Sequence, residues 1–492
     1  MSTPDTSTVP FEGNDRLLFG IILGVLTFWL FAQTTLNIAP DMSRDLGTDA
    51  SVMNVAVAIT ALFSGIFIVV MGGLADRVGR LKIVELGLVL SIVGSMLVGL
   101  APSGGLAVPF LLVGRALQGL SGACIMPASL ALVKAYWEGA ERQRAISLWS
   151  IGSWGGSGVC SLFGGLVSQN LGWRYIFLAS VVVAIIGLLM LRGTPESRTE
   201  TSRDYRFDVP GLFAFMVAMV ALQVVVTQGS TLGWSSPASL ALIATTVVFG
   251  GLFFRIERRA PNAFIDFKLF RNSTYAGATL SNFLLNAVAG TLIVSLQLVQ
   301  IGGSLTAQQA GVLTLGYAVA IIAFIRVGEK LLRRFGARRP MLWGCLVTGA
   351  AILLLSPAQV MLADYKVMAV IGYTLFGVGL AFYATPSTDA ALSNLPAAQS
   401  GSGSGIYKMA SSLGAEFGVA ISAAIFTALR ANPQSVLWLE GVITFQGRQD
   451  NVAVRGAAII ALGFNLLMVV VAVIAVMLTI PKGKANPGSW RR

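Results

Sequence analysis

Apolar residues fall into fourteen runs, separated by short polar breaks, from one end of the chain to the other. The runs cover roughly 16–40, 51–75, 82–101, 106–132, 144–168, 173–192, 209–228, 236–255, 273–300, 309–329, 340–358, 366–388, 404–429 and 455–480. A helix of about 20 apolar residues crosses the hydrocarbon core of a bilayer. Unpaired backbone groups are costly in lipid, so runs of this length are predicted to be helices. The strands of a membrane barrel would be half as long and would alternate in polarity, and these runs do neither. An even number of spans places both termini on the same side. The polar segment Met1–Asp15 lacks the basic start and short apolar core of a cleaved signal peptide, so the first span is expected to stay.

Composition strengthens this reading. Only 11% of the 492 residues are charged, against about 25% in a soluble domain, and a mean hydropathy of +0.77 calls for lipid as solvent. The net charge of +12 could suggest nucleic acid. The basic residues are instead spread over many short loops, as the positive-inside rule requires, and no nucleic-acid partner is expected. A cytoplasmic N-terminus puts Arg77, Arg80, Lys82, Arg142, Arg192, Arg255, Arg271, Lys330 and Arg339 inside, and leaves few basic residues outside. Cys124, Cys160 and Cys345 fall within spans and read as small packing residues rather than disulfides. The chain has no histidine. That removes a histidine proton relay, an HExxH metal site, and the base a Gly-x-Ser-Gly protease would need at Gly155–Gly158. No phosphate-binding loop is present, so neither an enzyme nor an ATPase is expected, and no cofactor.

A repeat organises the spans. The hairpin Gly72-Gly-Leu-Ala-Asp-Arg-Val-Gly-Arg-Leu-Lys82 has a degraded copy at Gly328-Glu-Lys-Leu-Leu-Arg-Arg-Phe-Gly336, and Gly79 aligns with Gly336 at an offset of 257. Gly114-Arg-Ala-Leu-Gln-Gly119 and Gly372-Tyr-Thr-Leu-Phe-Gly377 match at 258. Both pairs relate spans eight apart. The expected fold is therefore an all-α polytopic membrane protein with two six-helix halves and two inserted helices. Its expected parts are a cytoplasmic tail over 1–15, a bundle over 16–192, a linker over 193–208, inserted helices over 209–255, a linker over 256–272, a bundle over 273–480 and a cytoplasmic tail over 481–492. Such repeats are the plan of secondary transporters with a midplane site.

These residues resemble the major facilitator superfamily, in its fourteen-span drug:proton antiporter branch. The hairpin is similar to the signature loop of the superfamily, and Arg115-Ala-Leu-Gln-Gly119 to its Arg-x-x-Gln-Gly pattern. Asn37-Ile-Ala-Pro-Asp41 and Trp173-Arg-Tyr-Ile-Phe177 also look like this branch. Ile151-Gly-Ser-Trp-Gly-Gly-Ser157, Ile265-Asp-Phe-Lys-Leu-Phe270 and Tyr383-Ala-Thr-Pro-Ser-Thr-Asp389 resemble quinolone and multidrug efflux pumps of the NorB type. The resemblance covers nearly the whole chain. One departure lies in span 5, where Cys160 and Ser161 stand in place of the Gly-Pro of the antiporter signature.

The resemblance implies export of amphipathic drugs in exchange for protons by alternating access. It implies a monomer in a bacterial cytoplasmic membrane, with small amphipathic molecules and protons as partners. It makes Gly73, Asp76, Arg77, Gly79 and Arg80 a conformational latch, and assigns Arg115 to proton coupling. The residues themselves add candidates. Arg115 lies several residues inside span 4, where a charge is expensive and marks a functional site by default. Glu416, near the middle of span 13, is a carboxyl that can take up and release a proton as access alternates. Asp389, at the inner end of span 12, is the next candidate, and Glu85 and Glu329 lie too near the span ends to rank with them. Lys408 shares a helix face with Glu416 at a distance of about two turns. Trp29, Gln33, Asn37, Gln118, Asn282, Asn286 and Tyr317 are the expected cavity lining, since a wide apolar pocket with aromatics and amides suits flat amphipathic molecules. Symport of a nutrient, lipid or glycolipid flipping, and narrow-substrate export remain open as alternatives.

Overall fold

A computed structural model describes residues 12–198, 208–260, 267–305 and 307–482 of the chain. Of the expected tails and linkers, residues 1–11, 199–207, 261–266 and 483–492 lie outside the described residues. The described residues are mostly helical, and the long helices are α1 (Asp15–Ala32), which a shorter helix (Thr35–Leu46) follows, α2 (Ala50–Val78), α3 (Arg80–Gly99), α4 (Ala107–Tyr136), α5 (139–170), α6 (Arg174–Leu191), α7 (Val209–Leu232), α8 (Pro237–Glu257), α9 (Ser273–Gly302), α10 (Gln309–Phe335), α11 (Arg338–Leu355), α12 (Leu362–Ser393), α13 (Ser400–Ala431) and α14 (Val452–Thr479).

Thirteen of these are long and apolar enough to cross a membrane by length and composition. The fourteenth run, in α5, is not among them, because Gly and Ser dominate it between Gly152 and Ser168. Its glycines explain why it need not be more apolar. A methyl at Gly155 would lie 2.9 Å from Ile322, and one at Gly158 would lie 3.2 Å from Ile321. Small residues let α5 seat against side chains of α10 and α1, so its glycine-bearing face meets other helices while Leu162 and Leu166 point outward. A π-helical segment at Ile151–Gly155 interrupts it, just before the position where proline is missing. Such segments bend a helix without proline. Two more lie in α1 (Thr27–Ala32) and at the end of α9 (Leu298–Gly302).

The helices α1–α6 pack as one bundle and α9–α14 as another, and α13 bridges to α2 and α4. The pair α7–α8 stands to one side, with α7 against α2 and α13. Large apolar side chains such as Val182, Val247, Val319, Leu346 and Leu478 point outward, as expected where lipid is the solvent.

The repeat is visible at atomic scale. A methyl on Gly119 of α4 would strike the carbonyl oxygen of Thr60 on α2, and one on Gly377 of α12 would strike that of Tyr317 on α10. The two glycines are 258 apart and the two carbonyls 257 apart. Gly79 and Gly336 each end a helix at positive φ, +136° and +72°, where a side chain would be strained.

Candidate functional site

The end of the molecule that carries Gly79 is closed by contacts between the bundles. Asp76, at the end of α2, accepts hydrogen bonds from the backbone N–H of Gly401 (2.8 and 2.9 Å) and of Ser402 (3.0 Å), the first residues of α13. A carboxylate there satisfies orphan donors and complements the positive end of the helix dipole. Arg80 donates to Asp76 at 2.8 Å and also to the carbonyl of Ala397 at 2.7 Å, so acid and base together grip the entry to α13. Both are buried. Methyl groups at Gly72 or Gly401 would strike the carbonyl oxygen of the other residue, so the backbones touch here. Gly73 is buried beside this contact and Arg77 is half-buried. Gly79 packs on Glu196, whose carboxylate accepts from the N–H groups of Leu81 and Lys82 and so caps α3.

Three more contacts join the bundles at this end. Lys134 of α4 donates to the carbonyls of Leu392 (2.7 Å) and Leu395 at the end of α12. Arg142 of α5 donates to Asp389 (3.4 Å) and Ser393 (2.8 Å). Arg333 of α10 donates to the carbonyl of Ala140 at 2.7 Å. Asp389 therefore sits in this clamp and not with Glu416.

Arg115 is fully buried in the first bundle and has no acid partner among the described residues. Its guanidinium donates to the carbonyls of Ala32 (2.7 Å) and Ala56 (3.1 Å) and to Gln118 Oε1 (2.7 Å). Ala32 closes the π-helical segment of α1, where the shifted ladder leaves a carbonyl to accept a side chain. Gln118 passes the chain on to Ser95. Gln118 thus braces α4 against α3 rather than lining open space.

Between the bundles lies a belt of aromatic and polar groups. Trp29 of α1 sets its indole N–H 3.3 Å from the sulfur of Met126 on α4. One turn on, Ser129 accepts from the indole of Trp149 on α5 (2.9 Å), and the ring of Trp149 lies 4.8 Å beneath Nζ of Lys408 on α13. On the other side of α13, Asn282 of α9 donates to Ser411 (2.6 Å) and to the carbonyl of Tyr407, and Asn286 donates to Asn282. Tyr317 of α10 packs on Phe376 and approaches Gly158 of α5. Gln33 is half-buried. The side chain of Asn37 lies outside the described residues.

Glu416 points away from Lys408. It lies beside Gln223, a buried amide of α7 that also approaches Gly65 of α2. Its Oε2 accepts no hydrogen bond among the described residues. The carboxyl therefore occupies the joint of α2, α7 and α13. Gln223 and Trp149 are the site residues that the sequence reading missed. An amide set among apolar residues on both sides in α7 was the available signal for the first. Nothing in the sequence set Trp149 apart from the other tryptophans.

With this geometry in hand, the comparisons define the class. The family model for the Major Facilitator Superfamily matches residues 18–419 and 273–491, and the chain belongs to that family. It is 47% identical over 457 residues to the quinolone resistance protein NorB of Staphylococcus aureus strain MRSA252, which covers 90% of this chain and 97% of the relative. It is 47% identical over 447 residues to NorB of strain MSSA476, covering 88% and 95%. Among solved structures, the proton:xylose symporter XylE bound to 6-bromo-6-deoxy-D-glucose aligns over 95% of this chain and 96% of its own, with a TM-score of 0.63 at 16% identity. The human organic anion transporter MFSD10 aligns over 94% and 98%, with a TM-score of 0.62 at 13% identity. The chain is a multi-pass membrane transporter of this superfamily, with the two six-helix halves and inserted pair that its repeat implied.

Proposed function

We propose that this chain exports amphipathic drugs, quinolones among them, in exchange for protons by alternating access. The observation that carries the mechanism is the clamp of Asp76 and Arg80 on the start of α13. It joins the two bundles at the end rich in Lys and Arg, which the positive-inside rule assigns to the cytoplasm. In this reading the transporter is closed to the cytoplasm, and the same charge rule is what argues for both termini on that side. The long match to NorB supports drugs as cargo.

Glu416 is the proton-coupling carboxyl in this reading. Its buried, half-satisfied carboxyl at the joint with α7 can exchange a proton while the helices around it shift. Arg115 holds α1, α2 and α4 together next to the π segment, and Asp389 couples through the clamp with Arg142. Gly73, Asp76, Arg77, Gly79 and Arg80 form the latch. Trp29, Gln33, Asn37, Asn282, Asn286 and Tyr317 belong to the substrate path, with Gln118 behind them. The functional halves run over 16–192 and 273–480, with the inserted pair at 209–255, in a monomer of a bacterial cytoplasmic membrane.

The test is accumulation of norfloxacin and ethidium in pump-deficient cells expressing the wild type or Glu416→Gln, with and without an uncoupler. Uncoupler-sensitive efflux that the variant loses is the expected result. Efflux that persists in the variant moves coupling to Arg115 and Asp389. Absence of efflux at normal membrane abundance moves the reading to a narrow-substrate exporter or a lipid flippase.

A further inference from the structure

Buried cations in a membrane protein need an anion or a set of carbonyls, because the cost of burying a charge is several kcal/mol. The buried and half-buried basic side chains among the described residues show how that need is met. Arg80 has Asp76. Arg115 has the carbonyls of Ala32 and Ala56. Lys134 has those of Leu392 and Leu395. Arg455 has those of Ala358, Val360, Gln446 and Arg448.

Lys408 differs. It is 4% exposed, yet among the described residues it has no carboxylate within ion-pair distance and no hydrogen-bond acceptor. What it has is the face of Trp149, a cation–π contact that falls short of the cost of burying an ammonium. The acid on the same helix, Glu416, faces Gln223 instead. Trp149 belongs to the first bundle and Lys408 to the second. Their contact therefore lies on the surface that must part when the bundles move.

We propose that Lys408 receives the carboxylate of the transported molecule, so that the preferred cargo is a planar aromatic acid or zwitterion rather than a permanent cation. The ammonium supplies the counter-charge, and the ring of Trp149 supplies a flat apolar face for an arene. Ser411, one turn further along α13 and held by Asn282, is a polar neighbour for a second oxygen. Trp29 and Met126 continue the apolar surface on α1 and α4. This proposal rests on the export reading above.

The experiment uses three probes on the full-length transporter: norfloxacin, its methyl ester and ethidium. Efflux in cells is measured for the wild type, Lys408→Met and Lys408→Arg, with membrane abundance checked. Norfloxacin export should fall by about 30-fold or more in Lys408→Met, as when one partner of a desolvated charge pair is removed. The ester and ethidium should change by no more than about twofold, and Lys408→Arg should retain norfloxacin export. Equal loss of all three compounds in Lys408→Met, or undiminished norfloxacin export, would overturn the proposal. Binding to the purified transporter, read by tryptophan quenching, separates the two layers. A wild type that prefers the acid to its ester but exports none of the probes supports the anion site and overturns export. A wild type that exports norfloxacin but binds acid and ester equally overturns the anion site and leaves export standing.

Discussion

The two hairpins occupy equivalent places in the two bundles, yet only one grips its opposite number firmly. In the first, Asp76 reaches across to two N–H groups at the start of α13, and Arg80 follows it. In the second, the offset of 257 puts Arg333 where Asp76 stands and Ala337 where Arg80 stands. Arg333 also reaches across, to the start of α5, but it meets the carbonyl of Ala140 and spends its charge on Glu329 of its own helix. A cation at a helix N-terminus opposes the dipole, whereas an acid complements it. The same scaffold therefore carries one strong and one weak fastening. The asymmetry gives the closed end a dominant side, at α2 and α13.

Four substitutions probe this difference, the first three in falling order of effect. Asp76→Asn keeps the shape and removes the charge that both Arg80 and α13 use. Breaking a buried pair from one side costs about 3–5 kcal/mol, so efflux should drop by at least about tenfold at unchanged membrane abundance. Dye efflux with a membrane immunoblot measures this, and a normal rate would mean the contact is not part of the cycle. Gly401→Ala drives a methyl into the carbonyl of Gly72 and should slow efflux about three- to tenfold, by the usual 1–2 kcal/mol of overpacking. The same dye assay reads it, and unchanged efflux would show that α13 can shift without cost. Arg333→Ala should change efflux by less than about twofold, because its bonds are partly exposed to solvent. Arg333→Asp sharpens the comparison. It should be worse than alanine, because repulsion from the buried carboxylate of Glu329 outweighs the gain of an acid at the start of α5. An aspartate that behaved like alanine would remove the electrostatic part of the argument.

Much of the architecture was legible in the sequence because lipid imposes it. Run length gave the spans, and two offsets of 257 and 258 reappear as the Thr60–Gly119 and Tyr317–Gly377 contacts. The run in α5 was legible as a span although its composition is less apolar, since its glycines follow from helices that touch. The site was less legible. That Asp389 meets Arg142, and that Glu416 turns to Gln223 rather than toward Lys408, depends on how helices far apart in sequence rotate against one another. Periodicity gives a helix face, and it does not say which neighbour that face meets. Arg115 marked itself by its depth, but its partners are backbone carbonyls, and those carry no side-chain signature.

The meeting of Gly72 and Gly401 has a kinetic consequence. Two helices that touch through main-chain atoms have no side chains between them to yield by changing rotamer. Such a joint is seated or it is apart, with no compressible intermediate. Under the proposed latch role this makes the gate a toggle, whose leak is set by how often it flips rather than by how far it sags. A small molecule moving back through this end would have to wait for a complete opening.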